Sequence, residues 1–171
     1  VATGAGGHAG TLSPFALVQE IREWFDGPLL LAGAIANGGS ILAAQAMGAD
    51  MAYIGSPFIA TEEARASDGY KQAIVDAQAK DLVYSNYCTG VHGNSLKSSI
   101  VAAGMDPDNL PEADPSKMDF ETATGGAKAW KDIWGAGQGI GAVKAVEPVA
   151  DLVDRLAREY EAAKNRICTT A

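Results

Sequence analysis

Cysteine is scarce in this chain of 171 residues: Cys88 and Cys168 are the two thiols. So few, so far apart, imply no disulfide framework, and both read as reduced and inert. Basic residues are outnumbered, 13 Lys+Arg against 21 Asp+Glu, for a net charge of -8. With no basic stripe to neutralise phosphates, the chain argues against a nucleic-acid binder. Long hydrophobic runs are lacking too. The longest is roughly eight residues, Leu29 to Ala36, where a bilayer span needs about 20. No signal-peptide pattern occurs. These absences predict no nucleic acid, no membrane and a cytoplasmic location. What is there is a globular composition, 47% hydrophobic and 20% charged. It argues against a disordered tail and supplies a sizeable core.

Apolar spacing predicts a helix from Thr11 to Phe25, with Phe15, Leu17, Val18, Ile21, Trp24 and Phe25 near one face. Ser13 reads as its N-cap and Pro14 as its first residue. Asp26-Gly27-Pro28 stops it. Leu29 to Gly33 and Met51 to Gly55 are short apolar runs without alternation, the pattern of parallel strands covered on both faces. Between them, a loop from Ala34 to Gly39 leads into a helix over Ile41 to Met47. Ser56-Pro57 opens a short helix running through Glu62, Glu63 and Ala64. With Val1-Ala2-Thr3 as a strand end, residues 1–65 alternate strand and helix, which predicts βαβ crossovers and a parallel sheet. The crossovers are short, as in a (β/α)8 barrel. Asp68 to Gln78 reads as a helix. Tyr84 to Gly126 is rich in Asn, Ser, Gly, Asp and Pro, with Pro107, Pro111 and Pro115. It reads as irregular, apart from a short helical piece at Leu96 to Ala103. Ala127 to Gly141 is a small-residue stretch around two tryptophans. The last helix, Val149 to Ala163, places Val149, Leu152, Val153, Leu156 and Tyr160 on one side.

Three segments carry candidate chemistry. Gly4-Ala5-Gly6-Gly7-His8-Ala9-Gly10 lets backbone approach a ligand closely and holds a histidine just past a strand end. That histidine is either a general base or hydrogen-bond donor, or a residue that caps a turn. The second segment is Leu31 to Ser40 and the third Ile54-Gly55-Ser56-Pro57. Each takes a strand end into a helix start, where N–H groups and the helix dipole attract phosphate. Two such turns on consecutive strands fit a barrel phosphate site, or else they are tight βα turns with no ligand. No G-x-x-x-x-G-K-[ST] loop or G-x-G-x-x-G fingerprint occurs. His8 and His92 lack partners at metal-ligand spacing, so no metal site is predicted. His92 reads as a solvated loop residue.

Together, Ala5 to Gly10, Leu29 to Gly39, and Gly48-Ala49-Asp50 through Glu62-Glu63, at their spacing, resemble the nitronate monooxygenase family (formerly 2-nitropropane dioxygenases). Trp134-Gly135-Ala136-Gly137-Gln138 and the terminal helix resemble its C-terminal segment. The match covers most of residues 1–65 and 130–165 and is poor between them. The resemblance implies an α/β fold, the C-terminal part of a (β/α)8 TIM barrel with an irregular, partly helical insertion. Residues 1–65 would be the last barrel βα units, 66–130 a substrate-side segment and 131–171 the C-terminal helices. The three strands look like the last three of eight. With Val1 entering a strand end, this leads to the expectation that an N-terminal half of the barrel is supplied by another polypeptide or by a longer natural chain.

By the same resemblance the cofactor is FMN. His8 looks like the catalytic histidine, and Gly6 and Gly7 would lie against the flavin. Gly33 and Ala34 fall where the family has Gly-Gly at the FMN phosphate, and Ala34 keeps a usable N–H if its φ stays negative. Gly55 and Ser56 fall where it has Gly-Thr, with Ile54 beside them. The implied reaction is oxidation of an alkyl nitronate by O2, with His8 binding the nitro oxygens or removing the α-proton of a neutral nitroalkane. One alternative is an NAD(P)H-dependent FMN reductase of enoyl-ACP or quinone type. Another is a non-catalytic fragment that binds a phosphate ligand or serves assembly.

Overall fold

Ser13 and Pro14 open the first helix, as their chemistry requires. The Phe15 N–H donates to the Ser13 hydroxyl at 3.3 Å, and helix α1 spans Pro14–Arg22. This computed structural model describes residues 1–113 and 129–169. Pro115, with the rest of the irregular stretch to Gly126, and the small-residue stretch at Ala127 lie outside the described residues. So do the last two residues of the C-terminal region.

Helix α1 ends three residues before the expected Phe25. Arg22 takes over there, donating to the carbonyls of Phe25, Gly27 and Gly48 and to the Asp50 carboxylate. It thereby serves carbonyls that irregular backbone leaves without partners. Of the predicted apolar face Val18 is buried, while Phe15 and Trp24 are exposed.

Strands β2 (Leu30–Ala32) and β3 (Met51–Tyr53) pair in parallel, with Leu31 opposite Ala52. The segment expected as a strand at Val1 to Thr3 runs beside β2 without forming a ladder. Its Ala2 N–H donates to Ala32 O at 2.9 Å, and Gly4 O accepts from the Ala34 N–H at 3.1 Å. Leu31 packs with Ala2, Val18, Ile35, Ala44 and Ala49 into one core. The opposite face differs from the expected double cover: Leu30, Met51 and Tyr53 are 50%, 52% and 65% exposed. Among the described residues helices cover one face only.

Helix α2 (Gly38–Ala46) starts three residues earlier than the expected Ile41, because Asn37 and Ser40 form a reciprocal capping box. Helix α3 is a single turn, Ser56–Ile59, and α4 spans Asp68–Asp76. The largest departure follows. The stretch expected as irregular from Tyr84 holds strands: β4 (Leu82–Ser85) and β5 (Gly93–Leu96) pair antiparallel across bends and turns at 86–91, and β5 also pairs with the two-residue strand β1 (Gly7–His8). Strand β5 hides from pattern reading because it is Gly-Asn-Ser-Leu. Its Asn94 is buried, and its side-chain amide donates to Ala5 O at 2.8 Å. Leu96 enters a second core with Ala60, Ile74, Ala136, Ile140 and Val143. Short helices α5 (Lys97–Ala102) and α6 (Ala129–Asp132) follow.

Helix α7 runs from Val149 to Thr169, past the expected Ala163. Leu152, Leu156 and Ala163 are buried, whereas Val153 is exposed. The Glu63 carboxylate accepts the Val149 N–H at its start. Helices α2 and α7 touch through Gly38, where an added Cβ would stand 2.1 Å from the Tyr160 nitrogen.

Two predictions follow from these contacts. Gly38→Ala gains helix propensity of about 1 kcal/mol, but its methyl meets fixed backbone. The clash wins, and the variant loses about 1–3 kcal/mol, read as a lower urea midpoint at unchanged slope. Asp50 accepts from the Leu29 N–H and from Arg22, both at 2.7 Å. These bonds, the backbone one first, hold its carboxyl below the ordinary 3.8. A depressed folded-state value gives stability that is present above pH 3.8 and is lost as pH falls through the lower, folded value. In acid titrations of the melting temperature, Asp50→Asn flattens that limb.

Candidate active site

The glycine-rich loop threads between two cavities. The first, of about 370 Å³, is bordered by the Gly4–His8 loop, the Gly33–Ala34 turn and the Gly55–Ser56 turn. The second, of about 680 Å³, is bordered by His8, Arg65, Cys88, Thr89 and Trp134. Gly7, His8, Tyr70 and Gly135 border both.

The candidate residues therefore meet at one place. Gly6, Gly7, His8, Gly33, Ala34, Gly55 and Ser56 all line the first cavity. Ile54 does not line it; its side chain packs against the core beside β2. At Gly7 and Gly55 a Cβ would meet nothing within 4 Å, so both glycines leave open space. Gly33 has φ +139, and a Cβ there would stand 2.8 Å from Thr3 O, which explains glycine at that position.

Two expected phosphate contacts are corrected. Ala34 has φ 56, in the left-handed region, and its N–H already donates to Gly4 O. The condition of a negative φ is not met, and that N–H is spent. The start of α2 is likewise occupied. Gly38 N–H donates to the Glu159 carboxylate at 2.9 Å, Ser40 N–H to Asn37 Oδ1 at 2.8 Å, and the Ala36 and Asn37 N–H groups to Ser40 Oγ at 3.2 Å. By contrast, no side chain caps α3; Pro57 has no N–H and the Phe58 N–H donates to Gly55 O at 3.0 Å, so of its first three positions Ser56 is the one with an N–H to offer. Ser56 Oγ accepts from the Gly137 N–H at 2.8 Å and keeps its own proton to donate.

His8 is exposed, with Nε2 at 3.0 Å from Thr89 Oγ1. The loop after it is pinned: Ala9 N–H donates to His92 O at 3.2 Å, and the Tyr84 hydroxyl donates to Ala9 O at 2.9 Å. His92 is exposed as expected, and its ring stacks on Tyr84 with centroids 5.2 Å apart.

Sequence reasoning missed Tyr70 and Thr89. Tyr70 stacks on Trp134 at 5.1 Å, and its hydroxyl donates to Gly135 O. Burial pushes this phenol up to about 12, so it remains a donor throughout the neutral range. A tyrosine on an amphipathic helix reads as core, and Thr89 lies in a segment with no periodic signal. Gly135 and Gly137 also line the first cavity, and the small-residue run around them was the one available cue to that wall. Cys88 lines the second cavity, and burial pushes its thiol up, which keeps it a poor nucleophile. Among the described residues no group of three His, Cys, Asp or Glu side chains could hold a metal, and no helix is long and apolar enough to cross a membrane.

The hollow suits a phosphorylated planar cofactor. Its volume lies in the range of roughly 300–1,000 Å³ usual for ligand sites. Bare glycine backbone lines it at Gly7 and Gly55, and the Ser56 hydroxyl and N–H lie beside them.

Parallel strands whose C-terminal turns border such a hollow define part of a (β/α)8 barrel with its ligand site in the usual place. The model of the nitronate monooxygenase family matches residues 1–159, and the chain belongs to that family. It is similar to the nitronate monooxygenase of Paraburkholderia phytofirmans, 31% identical over 92% of this chain and 47% of that protein. The nitroalkane oxidase structure from Streptomyces ansochromogenes superposes with TM-score 0.75 at 29% identity, over 95% of this chain and 51% of that one. FabK from Thermotoga maritima shares the fold, with TM-score 0.72 at 21% identity, over 99% of this chain and 56% of that one. The chain thus spans about half the length of the relatives it matches.

Ala34→Gly relieves a left-handed alanine at an exposed position. It raises stability by about 1 kcal/mol, measured by denaturant unfolding; no gain, or a loss, would show that the turn is unstrained.

Proposed function

We propose that the whole protein is an FMN-dependent oxidoreductase of the cytoplasm, a nitronate monooxygenase that oxidises alkyl nitronates with O2. The observation that carries this reading is the convergence of His8, the Gly6–Gly7 backbone and both strand-end turns on one hollow. Family membership supports it. When bound, FMN supplies the redox chemistry, accepting electrons from the nitronate and passing them to O2.

The chain's own residues bind and orient. The Gly55–Ser56 turn holds the phosphate with the Ser56 N–H and hydroxyl, and the Gly33–Ala34 turn closes the pocket beside it. Gly6 and Gly7 present bare backbone to the ring. His8, bordering both cavities, lies beside a nitronate in the second and, as imidazolium, donates to its nitro oxygens. With a neutral nitroalkane it accepts the α-proton, and the electrons of the broken C–H bond form the C=N bond of the nitronate. In this reading the barrel strands beyond this chain cover the face of Leu30, Met51 and Tyr53.

The test is His8→Asn in the full-length protein. Turnover of a neutral nitroalkane falls at least about a hundredfold while the yellow colour of bound FMN persists. Unchanged turnover refutes the base role. Anaerobic mixing with NADPH leaves the flavin spectrum unbleached; rapid bleaching assigns the protein to the NAD(P)H-dependent reductases instead. A colourless full-length protein that takes up no FMN refutes the flavoenzyme reading.

A further inference from the structure

We propose that Thr89 fixes the tautomer of His8, and so selects Nδ1 as the imidazole atom that takes the substrate's proton. The selection of a base nitrogen rests on the function proposed above; the tautomer itself does not. A threonine hydroxyl has one proton to give and two lone pairs to receive. Thr89 Oγ1 lies 2.9 Å from Val91 O and 3.0 Å from His8 Nε2, and the Val91 N–H reaches it at 3.4 Å. A carbonyl oxygen carries no proton, so the contact with Val91 O requires Thr89 to donate there. With that proton spent, the contact with His8 requires Nε2 to carry a hydrogen. The neutral imidazole is then the Nε2–H form, and its free lone pair is on Nδ1. Among the described residues no hydrogen bond engages Nδ1.

The geometry around this pair is built to last. Gly90 N–H donates to Asn86 O at 2.6 Å, closing the turn that carries Thr89. The turn is tied to the strand of His8 through Ala9 and His92 at 3.2 Å, and by β5 pairing with β1. Thr89 is β-branched and stiff about χ1, so its hydroxyl stays aimed. His8 and Thr89 also border the second cavity together. In the proton transfer the substrate C–H bond breaks and an N–H bond forms at Nδ1. The C–H electron pair becomes the C=N bond, and an N=O pair moves onto oxygen. The imidazolium that results keeps its Nε2–H on Thr89, so no second proton has to move. Thr89 is thus a positioning residue that acts through His8.

The test uses full-length protein with isotope-labelled histidine, examined by two-bond nitrogen–proton correlation spectra in alkaline buffer. His8 is assigned by the signals that disappear in His8→Asn. The expected spectrum shows His8 with a protonated Nε2 and a bare Nδ1, in the native protein and in Thr89→Ser. In Thr89→Val the two ring nitrogens move toward their averaged positions. On a neutral nitroalkane, kcat/KM drops about tenfold in Thr89→Val, as for loss of one hydrogen bond, and Thr89→Ser restores it. An Nδ1–H pattern in the native protein overturns the proposal, as does a Thr89→Val spectrum identical to the native one. If Thr89→Val fails to fold, the native and Thr89→Ser spectra decide alone. Absence of nitroalkane turnover in every form would refute the proposed function, while the spectra would still decide the tautomer.

Discussion

Two stretches of backbone lie against each other here with no side chain between them, and the site depends on that seam. A Cβ on Gly6 would stand 2.8 Å from the Gly137 nitrogen, and one on Gly135 would stand 2.9 Å from the Gly7 nitrogen. Contact this close is possible only between bare chains. It is held by polar groups that must be paired once buried: Gln138 N–H on Gly4 O at 2.8 Å, the Asn94 amide on Ala5 O, and Ala136 N–H on Asn94 O at 3.3 Å. His8 leaves this seam at its end. Its position is therefore set by main-chain contacts rather than by the packing of its own ring.

The seam also joins two separate cores. Ala2, Leu31 and Ala44 belong to the parallel-strand side, and Ile74, Leu96 and Ile140 to the antiparallel side. Each is a small cluster stabilised by apolar burial. The Gly4–His8 loop passes between them, with one cavity on each side of Gly7. Tyr70 completes the partition, stacked on Trp134 and bonded to the backbone of Gly135. A rigid wall with chemistry at its edge is what a reaction between two bound molecules requires.

The βαβ frame was legible because its signals are local. Ser13-Pro14, Gly27-Pro28 and the unbroken apolar runs at Leu29 and Met51 each act within a few residues. The turns at Gly33 and Gly55, with the histidine loop, were likewise found from small residues at strand ends. What escaped depends on distant partners. Strand β5 is polar in sequence and becomes buried only because Asn94 finds Ala5 O, 89 residues away. Thr89 gains meaning only from His8. The left-handed Ala34 could not be foreseen, since alanine ordinarily avoids that conformation. Phe15 and Val153 follow helical spacing yet face outward, because spacing defines a stripe without saying how much of it a neighbour covers.

The Glu159 carboxylate at the start of α2 has an effect beyond holding two helices together. It sits on the positive end of the helix dipole and pairs with Arg155 at 3.0 Å. Arg155 is shared with Glu147 at 2.9 Å, so one guanidinium serves two carboxylates and that end of the molecule keeps a negative charge. In a chain of net charge -8, an arriving anion meets no long-range pull toward the hollow and a mild repulsion from the surface. In the function proposed above, an anionic ligand is gripped by contacts made at touching distance, and added salt, by screening the surface, eases its entry.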